Sequence, residues 1–241
     1  FNKEFLSIFS DKIKSSDLKF INQTLEDLHP SDVANLIENL SSETRAKLIE
    51  IEEFDIDPEI FVEINESIQT EILQLLSLDS IAKIIKRLES DNAISILENL
   101  NVEKKNSVLD KLPPKDRFLL EEGLSYPEDS AARIMQREFT AIPSNWSVGQ
   151  TIDYLRENKD LPEQFLEIFI VDENFKPVGI VPSSKVLRTP RESKMSSIME
   201  ELIFLVPVDM DKEEVGNLFE NYSLNSACVV DKNNKLVGMI T

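Results

Sequence analysis

From Leu28 an apolar residue returns every twelve positions, at Leu28, Leu40, Ile64, Leu76, Leu88, Leu100, Leu112 and Leu124, with one lapse at Glu52. Eight positions after each marker comes a second apolar series: Leu36, Leu48, Ile60, Ile72, Ile84, Ile96, Val108 and Leu120. Twelve residues hold about two helical turns and a short connection. Helix starts fall at the matching places, at Ser31-Asp32 after His29-Pro30, Ser41-Ser42-Glu43, Ser77-Leu78-Asp79, Ser90-Asp91 and Pro113-Pro114. Helices this short are marginal alone and must stack to bury their apolar stripes, so the first half is predicted to be a solenoid-like superhelix. The Leu, Ile and Val residues on this beat are core, and His29 has a structural place at a helix start.

The character changes after Tyr126-Pro127-Glu128-Asp129. Ile168–Pro182 reads IFIVDENFKPVGIVP and Ala227–Thr241 reads ACVVDKNNKLVGMIT. Six positions are identical without a gap: Val171/Val230, Asp172/Asp231, Asn174/Asn233, Lys176/Lys235, Val178/Val237 and Gly179/Gly238. Each copy is an apolar run, an Asp/Asn-containing turn and a second apolar run, which predicts a β-hairpin stated twice. Ahead of each hairpin stands an Ile-Met lead-in (Ile134-Met135, Ile198-Met199), then a short strand (Phe139–Pro143, Phe204–Val208), then a helix (Trp146 to about Glu157, Asp211 to about Tyr222). Ser183–Leu187 begins a further helix. The lead-ins are 64 residues apart and the hairpins 59, so the first copy carries five extra residues around Asn158–Phe165. Trp146, beside a helix start, reads as a packing residue at a module interface.

Composition narrows the function. The chain has 241 residues, 41% of them apolar, enough to bury a core and too many for global disorder. Its formal charge is −19, with 26 acids against 14 bases in residues 1–124 and 19 against 12 in the rest. Such a field repels a phosphate backbone and attracts cations, which argues against nucleic acid as a partner. The densest acidic run is Glu50, Glu52, Glu53, Asp55, Asp57, Glu59 and Glu63, seven carboxylates in fourteen residues with no base between them. They repel one another unless something cationic lies near.

One cysteine, Cys228, excludes an intrachain disulfide and reads as a small core residue in the second repeated strand. With His29 the only histidine, no Cys/His zinc constellation can be written. The five glycines form no phosphate loop, and no apolar run reaches 18 residues. No nucleophile–base arrangement is recognisable, so the expectation is a chain without catalysis; carboxylate-only hydrolysis is the chemistry its many acids leave open. The start at Phe1, without a signal-peptide pattern, and the end at Thr241 directly after a strand both read as cuts in a longer chain.

The repeated VDENFKPVGIV and VDKNNKLVGMI, each behind an Ile-Met lead-in and a strand ending in Pro143 or Val206-Pro207, resemble a pair of CBS domains, β-α-β-β-α modules. The short-helix array containing LHPSDVANLIENL, the junction YPEDSAARIM and this pair together resemble the cytosolic part of MgtE-type magnesium channels. That family usually has two glycines where this chain has Ala132-Arg133. The resemblance implies an α+β chain: a helical superhelical N domain over 1–127, CBS domain 1 over 128–197 and CBS domain 2 over 198–241, the last truncated at its C-terminal end. It further implies a homodimeric magnesium sensor on the cytoplasmic face of the membrane, attached to a C-terminal transmembrane pore domain of the same full-length chain. In that picture Mg2+ bridges acidic domain faces and closes the pore.

Carried across by resemblance, the metal-facing acids are Glu59 and Asp91 in the helical domain and Asp211 and Glu213 at the start of the second CBS helix. Two further family acids fall on Ser95 and Ser223. CBS pairs that bind adenine nucleotides use a Ser/Thr after the last strand and an Asp three residues on; the first copy has Pro182 and Lys185 there, and the second supplies Thr241. ATP at Thr241 is therefore a second candidate ligand. The alternatives to magnesium sensing are an adenine-nucleotide-sensing CBS module and a helical scaffold for protein partners.

Overall fold

The computed structural model describes residues 1–51, 56–162 and 164–241. Glu52, Glu53 and Asp55 of the acidic run, and Glu163 of the insertion, lie outside the described residues. The chain forms two compact units, Phe1–Leu88 with Ser95–Phe118, and Glu89–Ile94 with Leu119–Thr241.

The first half is a run of short helices: α1 (Lys3–Lys14), α2 (Leu18–Glu26), α3 (Pro30–Asn39), α4 (Ser42–Ile49), α5 (Pro58–Glu63), α6 (Glu66–Leu75), α7 (Leu78–Arg87), α8 (Ser90–Glu98), α9 (Val102–Leu109) and α10 (Pro114–Ser125). The twelve-residue beat has a local cause. Leu40, Ile64, Leu76 and Leu88 close α3, α5, α6 and α7 in extended backbone. After the first three of them, Ser41, Asn65 and Ser77 cap the next helix by accepting the N–H of Thr44, Ile68 and Ser80. Each of these connections is thus one apolar and one capping residue, which satisfies the exposed helix-start donors in minimal length. The second apolar series is buried throughout except for half-buried Ile60. Helices α3, α5, α7 and α9 succeed one another along one row, and α1, α4 and α6 along another. His29 caps α3, its Nδ1 accepting the Ser31 N–H at 3.3 Å with Pro30 in the first turn.

One polar feature ties these rows together. Arg45, buried in α4, donates to the carbonyls of Glu38 and Leu40 at the end of α3 and forks the Glu71 carboxylate of α6 at 3.2 and 2.7 Å. That guanidinium holds the Glu71 carboxyl below its ordinary 4.5. The resulting stabilisation is present above pH 4.5 and is lost as pH falls through the lowered value. Two acids of the described part of the acidic run also meet cations. Glu50 lies 3.8 Å from Lys47, and Asp57, the cap of α5, lies 3.1 Å from Arg87.

The second half contains α11 (Ala131–Ile134), β1 (Ala141–Pro143), α12 (Val148–Glu157), β2 (Glu167–Val171), β3 (Pro177–Pro182), α13 (Ser183–Arg188), α14 (Met195–Ile198), β4 (Leu205–Pro207), α15 (Lys212–Tyr222), β5 (Ala227–Val230) and β6 (Leu236–Ile240). The expected α+β architecture, a helical array followed by two strand–helix–strand–strand copies, is the one observed. Each copy forms a three-stranded sheet in which the first strand runs parallel to the second and the hairpin is antiparallel. β2 is buried on both faces, which explains its unbroken apolar run. Ile168 and Ile170 enter a core with Ile142, Val148 and Val186, while Phe169 and Val171 enter a second core shared with Cys228 and Leu236 of the other copy. Cys228 is fully buried and its thiol is pushed up to about 12, so it is a core residue.

The two copies exchange their lead-ins. Ala131, Ala132 and Met135 pack with Val206, Val215, Ala227, Val229 and Ile240 of the second copy, whereas Ile198 and Met199 pack on the core of the first. The backbone repeats the exchange. Ala131 and Ala132 donate to Met210 and Val208 carbonyls, and Met195 and Ser196 donate to Trp146 and Ser144 carbonyls. Each crossing passes over the glycine of the hairpin it covers. Gln136 pairs with Met239 beside Gly238, and Glu200 pairs with Ile180 beside Gly179. A Cβ on Gly238 would meet Met135 Sδ at 2.6 Å and the Gln136 carbonyl oxygen at 2.8 Å; on Gly179 it would meet Met199 Sδ at 2.6 Å and the Glu200 carbonyl oxygen at 3.0 Å. The repeated Val-Gly is thus a space requirement.

The hairpin turns share one device: Asp172 Oδ1 accepts the N–H groups of Asn174 and Lys176, and Asp231 Oδ1 those of Asn233 and Lys235. Both turns then need a left-handed residue, Phe175 at φ 62° and Asn234 at φ 58°. Asn tolerates that region and a bulky aromatic does not.

Two outcomes follow for denaturant unfolding. Gly238→Ala is expected to cost about 1–3 kcal/mol, and Gly179→Ala less, because the nearest backbone atom is closer at Gly238. Phe175→Asn is expected to stabilise the chain by about 0.5–1 kcal/mol through relief of the left-handed aromatic.

Candidate functional site

The exchanged lead-in carries chemistry onward from its crossing. Gln136 is fixed by two backbone hydrogen bonds to Met239, at 2.7 and 2.8 Å, and its side-chain Nε2 donates to Glu89 Oε2 at 2.6 Å. Two residues on, Glu138 Oε2 accepts the Ser90 backbone N–H at 3.1 Å and the Ser90 hydroxyl at 2.8 Å. A carboxylate therefore sits on the otherwise unpaired donor at the start of α8, where the helix dipole favours it. Asp91 is the next residue of that turn, half-buried, with its Oδ1 accepting the Asn92 N–H at 2.8 Å.

Glu89, Asp91 and Glu138 thus gather around the first turn of α8. Burial pushes the Asp91 carboxyl above its ordinary 3.8, and the Glu138 charge adds to the rise. Glu89 is open to solvent on one side, yet partial desolvation and the charges of Asp91 and Glu138 push it above 4.5. The nearby cation is Arg137, whose own pKa is lowered by burial against the opposing pull of Glu122, Glu138 and Asp91. Its Nε finds no hydrogen-bond partner among the described residues. Among the described residues, no three His, Cys, Asp or Glu side chains converge closely enough to enclose a metal ion.

Glu59 is exposed in the first turn of α5, where its backbone N–H is capped by Asp57. Asp211 caps α15 and accepts the Glu213 N–H at 2.8 Å, with both side chains exposed. The Asp211 backbone bridges Ser130, so the exchange that places α11 also places this helix start. Ser95 is exposed on α8, and Ser223 closes α15 in the left-handed region. Sequence reasoning did not single out Glu89 or Glu138. Glu89 had a weak signal as the neighbour of the Ser90-Asp91 helix start. Glu138 had none, since its role depends on the crossing. The Ala132-Arg133 departure also acquires a reason: Ala132 is fully buried, and Arg133 Nη1 donates to the carbonyls of Leu124 and Tyr126 at the end of α10.

Thr241 lines a cavity of about 290 Å³ with Glu89, Gln136, Glu167, Asn225 and Ser226. The Ser226 hydroxyl donates to Glu167 there. Amides and hydroxyls dominate its polar wall, and none of its lining residues is basic. Such a wall matches the hydrogen-bonding edge of a base or a ribose better than a polyphosphate.

Comparison with known proteins gives a consistent result. Residues 28–129 match the MgtE intracellular N domain, and residues 131–192 and 195–241 match the CBS domain. The magnesium transporter MgtE of Thermus thermophilus is 25% identical over 243 aligned positions, covering 96% of this chain and 52% of that protein. MgtE of Bacillus subtilis is 22% identical, covering 95% of this chain and 51% of that protein. The chain therefore spans about half the length of the curated relatives it matches. A crystal structure of the cytosolic domain of the Mg2+ channel MgtE in complex with ATP superposes with a TM-score of 0.84 at 24% identity, over 96% of this chain and 94% of that one. The soluble part of a magnesium transporter superposes at 0.82 and 21% identity, over 99% and 94%. Two solved structures thus share the fold over nearly the whole chain, and an MgtE intracellular N domain joined to a CBS domain pair, homologous to the MgtE magnesium transporters, is what this chain is.

Proposed function

We propose that this chain is the magnesium-sensing regulatory region of a magnesium transporter or channel, acting at the cytoplasmic face of the cell membrane as a homodimer joined to a transmembrane pore domain. Among the described residues no helix is long and apolar enough to cross a membrane, so transport itself would belong to that pore domain. The reading takes residues 1–127 as the helical domain, 128–197 and 198–241 as the two CBS domains, and Glu59, Asp91, Asp211 and Glu213 as the acids that face magnesium. Catalysis has no part in it.

The observation that carries this reading is the crowding at the start of α8. Glu89 and Asp91 are both held above their ordinary pKa values by desolvation and by the negative charge around them. A divalent cation relieves that crowding. Magnesium is a hard ion that keeps several waters and takes one or two carboxylates, so widely set acids suit it when water fills the remaining positions. Its effect on conformation equals its differential affinity for compact and open states, and several weak sites acting together give a steep response. With magnesium, acidic faces would hold the compact state and the pore would close; without it, like charges would separate them.

A second reading rests on the Thr241 cavity. Its hydroxyl and amide lining, and the ATP carried by the related MgtE cytosolic domain, support an adenine nucleotide as a co-ligand of the same region.

Small-angle scattering and limited proteolysis with millimolar magnesium, against sodium chloride at matched ionic strength, test the first reading. Compaction and protection specific to magnesium are expected, and Asp91→Ala with Asp211→Ala should weaken both; no difference from the salt control would overturn it. The response should fade as pH falls through the raised native values of Asp91 and Glu89, because protonation competes with the ion. Without magnesium the sign is opposite. A raised carboxyl favours the folded state at low pH, so Asp91→Asn should raise the melting temperature near neutral pH by about 2–4 °C. For the nucleotide, calorimetric titration with ATP and AMP should show binding that Thr241→Val weakens by roughly tenfold. Tight nucleotide binding without any magnesium response would make the nucleotide the principal ligand.

A further inference from the structure

A second cleft, of about 670 Å³, opens beside the turn of the first hairpin and is lined by Pro143, Asn145, Trp146, Asp172, Glu173 and Phe175. It lies on different residues from the Thr241 cavity and from the acids around α8. Its volume is in the range of small-molecule sites.

The chain supplies its own comparison, because the second copy repeats this turn. Where the first copy has Glu173 and Phe175 the second has Lys232 and Asn234, and where the first has Trp146 the second has Met210. The first copy has therefore gathered two aromatic rings at a place where its duplicate has none, and it carries its second carboxylate on the hairpin turn, at Glu173, where the duplicate carries one at Asp209 in place of Asn145. Phe175 is the strongest departure. It occupies the left-handed backbone position that Asn234 fills in the duplicate, and its side chain is 43% exposed rather than packed in the core. An aromatic held in an unfavourable backbone region and left open to solvent points to a use for the ring outside the fold. Trp146 is anchored edge-on against Tyr154, with ring centres 5.4 Å apart, so its position is fixed before any ligand arrives. Asp172 spends Oδ1 on the turn, and its second oxygen accepts no hydrogen bond among the described residues.

Aromatic faces and carboxylates with no base among the lining residues are the chemistry that recognises an organic cation. A hydrated magnesium ion gains nothing from the rings. From this cleft we infer that the first CBS domain binds a small linear polyamine, its methylene chain against Trp146 and Phe175 and its ammonium groups at Asp172 and Glu173.

Trp146 is the only tryptophan in the chain, so its fluorescence reports the cleft directly. Spermidine titrated into the 241-residue chain should give a saturable change that sodium chloride at equal ionic strength does not. Phe175→Asn should weaken the apparent affinity by about three- to fivefold and Glu173→Lys by about tenfold. Both substitutions install the residue the duplicate turn already carries, and circular dichroism checks that each variant is folded; if Glu173→Lys were not, Phe175→Asn decides. Absence of saturation, the same curve with sodium chloride or magnesium chloride, or unchanged affinity in folded Phe175→Asn would overturn the assignment.

Discussion

The Gln136–Met239 crossing over Gly238 is the contact on which the rest of the second half depends. Two short backbone hydrogen bonds hold the first lead-in to the last strand of the second copy, and they form only because position 238 has no Cβ. Everything downstream inherits that geometry. Gln136 reaches Glu89, Glu138 reaches the start of α8, and the cavity beside Thr241 is walled on one side by the same glutamine. Its counterpart at Gly179 locks the second lead-in onto the first copy in the same way. Two copies that trade lead-ins cannot move apart without breaking both crossings, so the pair is a single mechanical body.

Electrostatics acts on that body as an imbalance. In the helical half, Arg45, Lys47 and Arg87 neutralise particular acids, and Arg45 also joins α4 to the end of α3 and to α6. Around α8 the balance is different, with three carboxylates near one guanidinium that is itself partly buried. Concentrating unbalanced acid at one helix start leaves a place where an added cation changes the free energy more than elsewhere on an already acidic surface. The cleft at Trp146 and Phe175 uses the same sign of charge with aromatic walls, and so selects for a different kind of cation.

Much of the architecture was legible in the chain itself. The twelve-residue beat marked the helix ends because one apolar closing residue and one capping residue are the shortest connection that satisfies both helix termini. The doubled Val-Asp-x-Asn…Val-Gly marked the hairpins because an Asp-capped turn and a close backbone approach each restrict the residues allowed. Asp91 and Asp211 were recognisable as helix-start acids from local spacing, whereas Thr241 was singled out only through the CBS resemblance. Glu138 and Glu89 were not recognisable, nor was the cation that meets Asp57, since each partnership depends on how the folded segments are set against one another.

The sequence by itself determined the elements, their order, the repeat and the acidic character, because capping, periodicity and turn chemistry act over a few residues. The tertiary structure alone decided which copy each lead-in covers, which carboxylates share a helix start, and that Phe175 stands in the open at a cleft. Those outcomes depend on long-range packing and on the desolvation it imposes, neither of which is encoded at any single position.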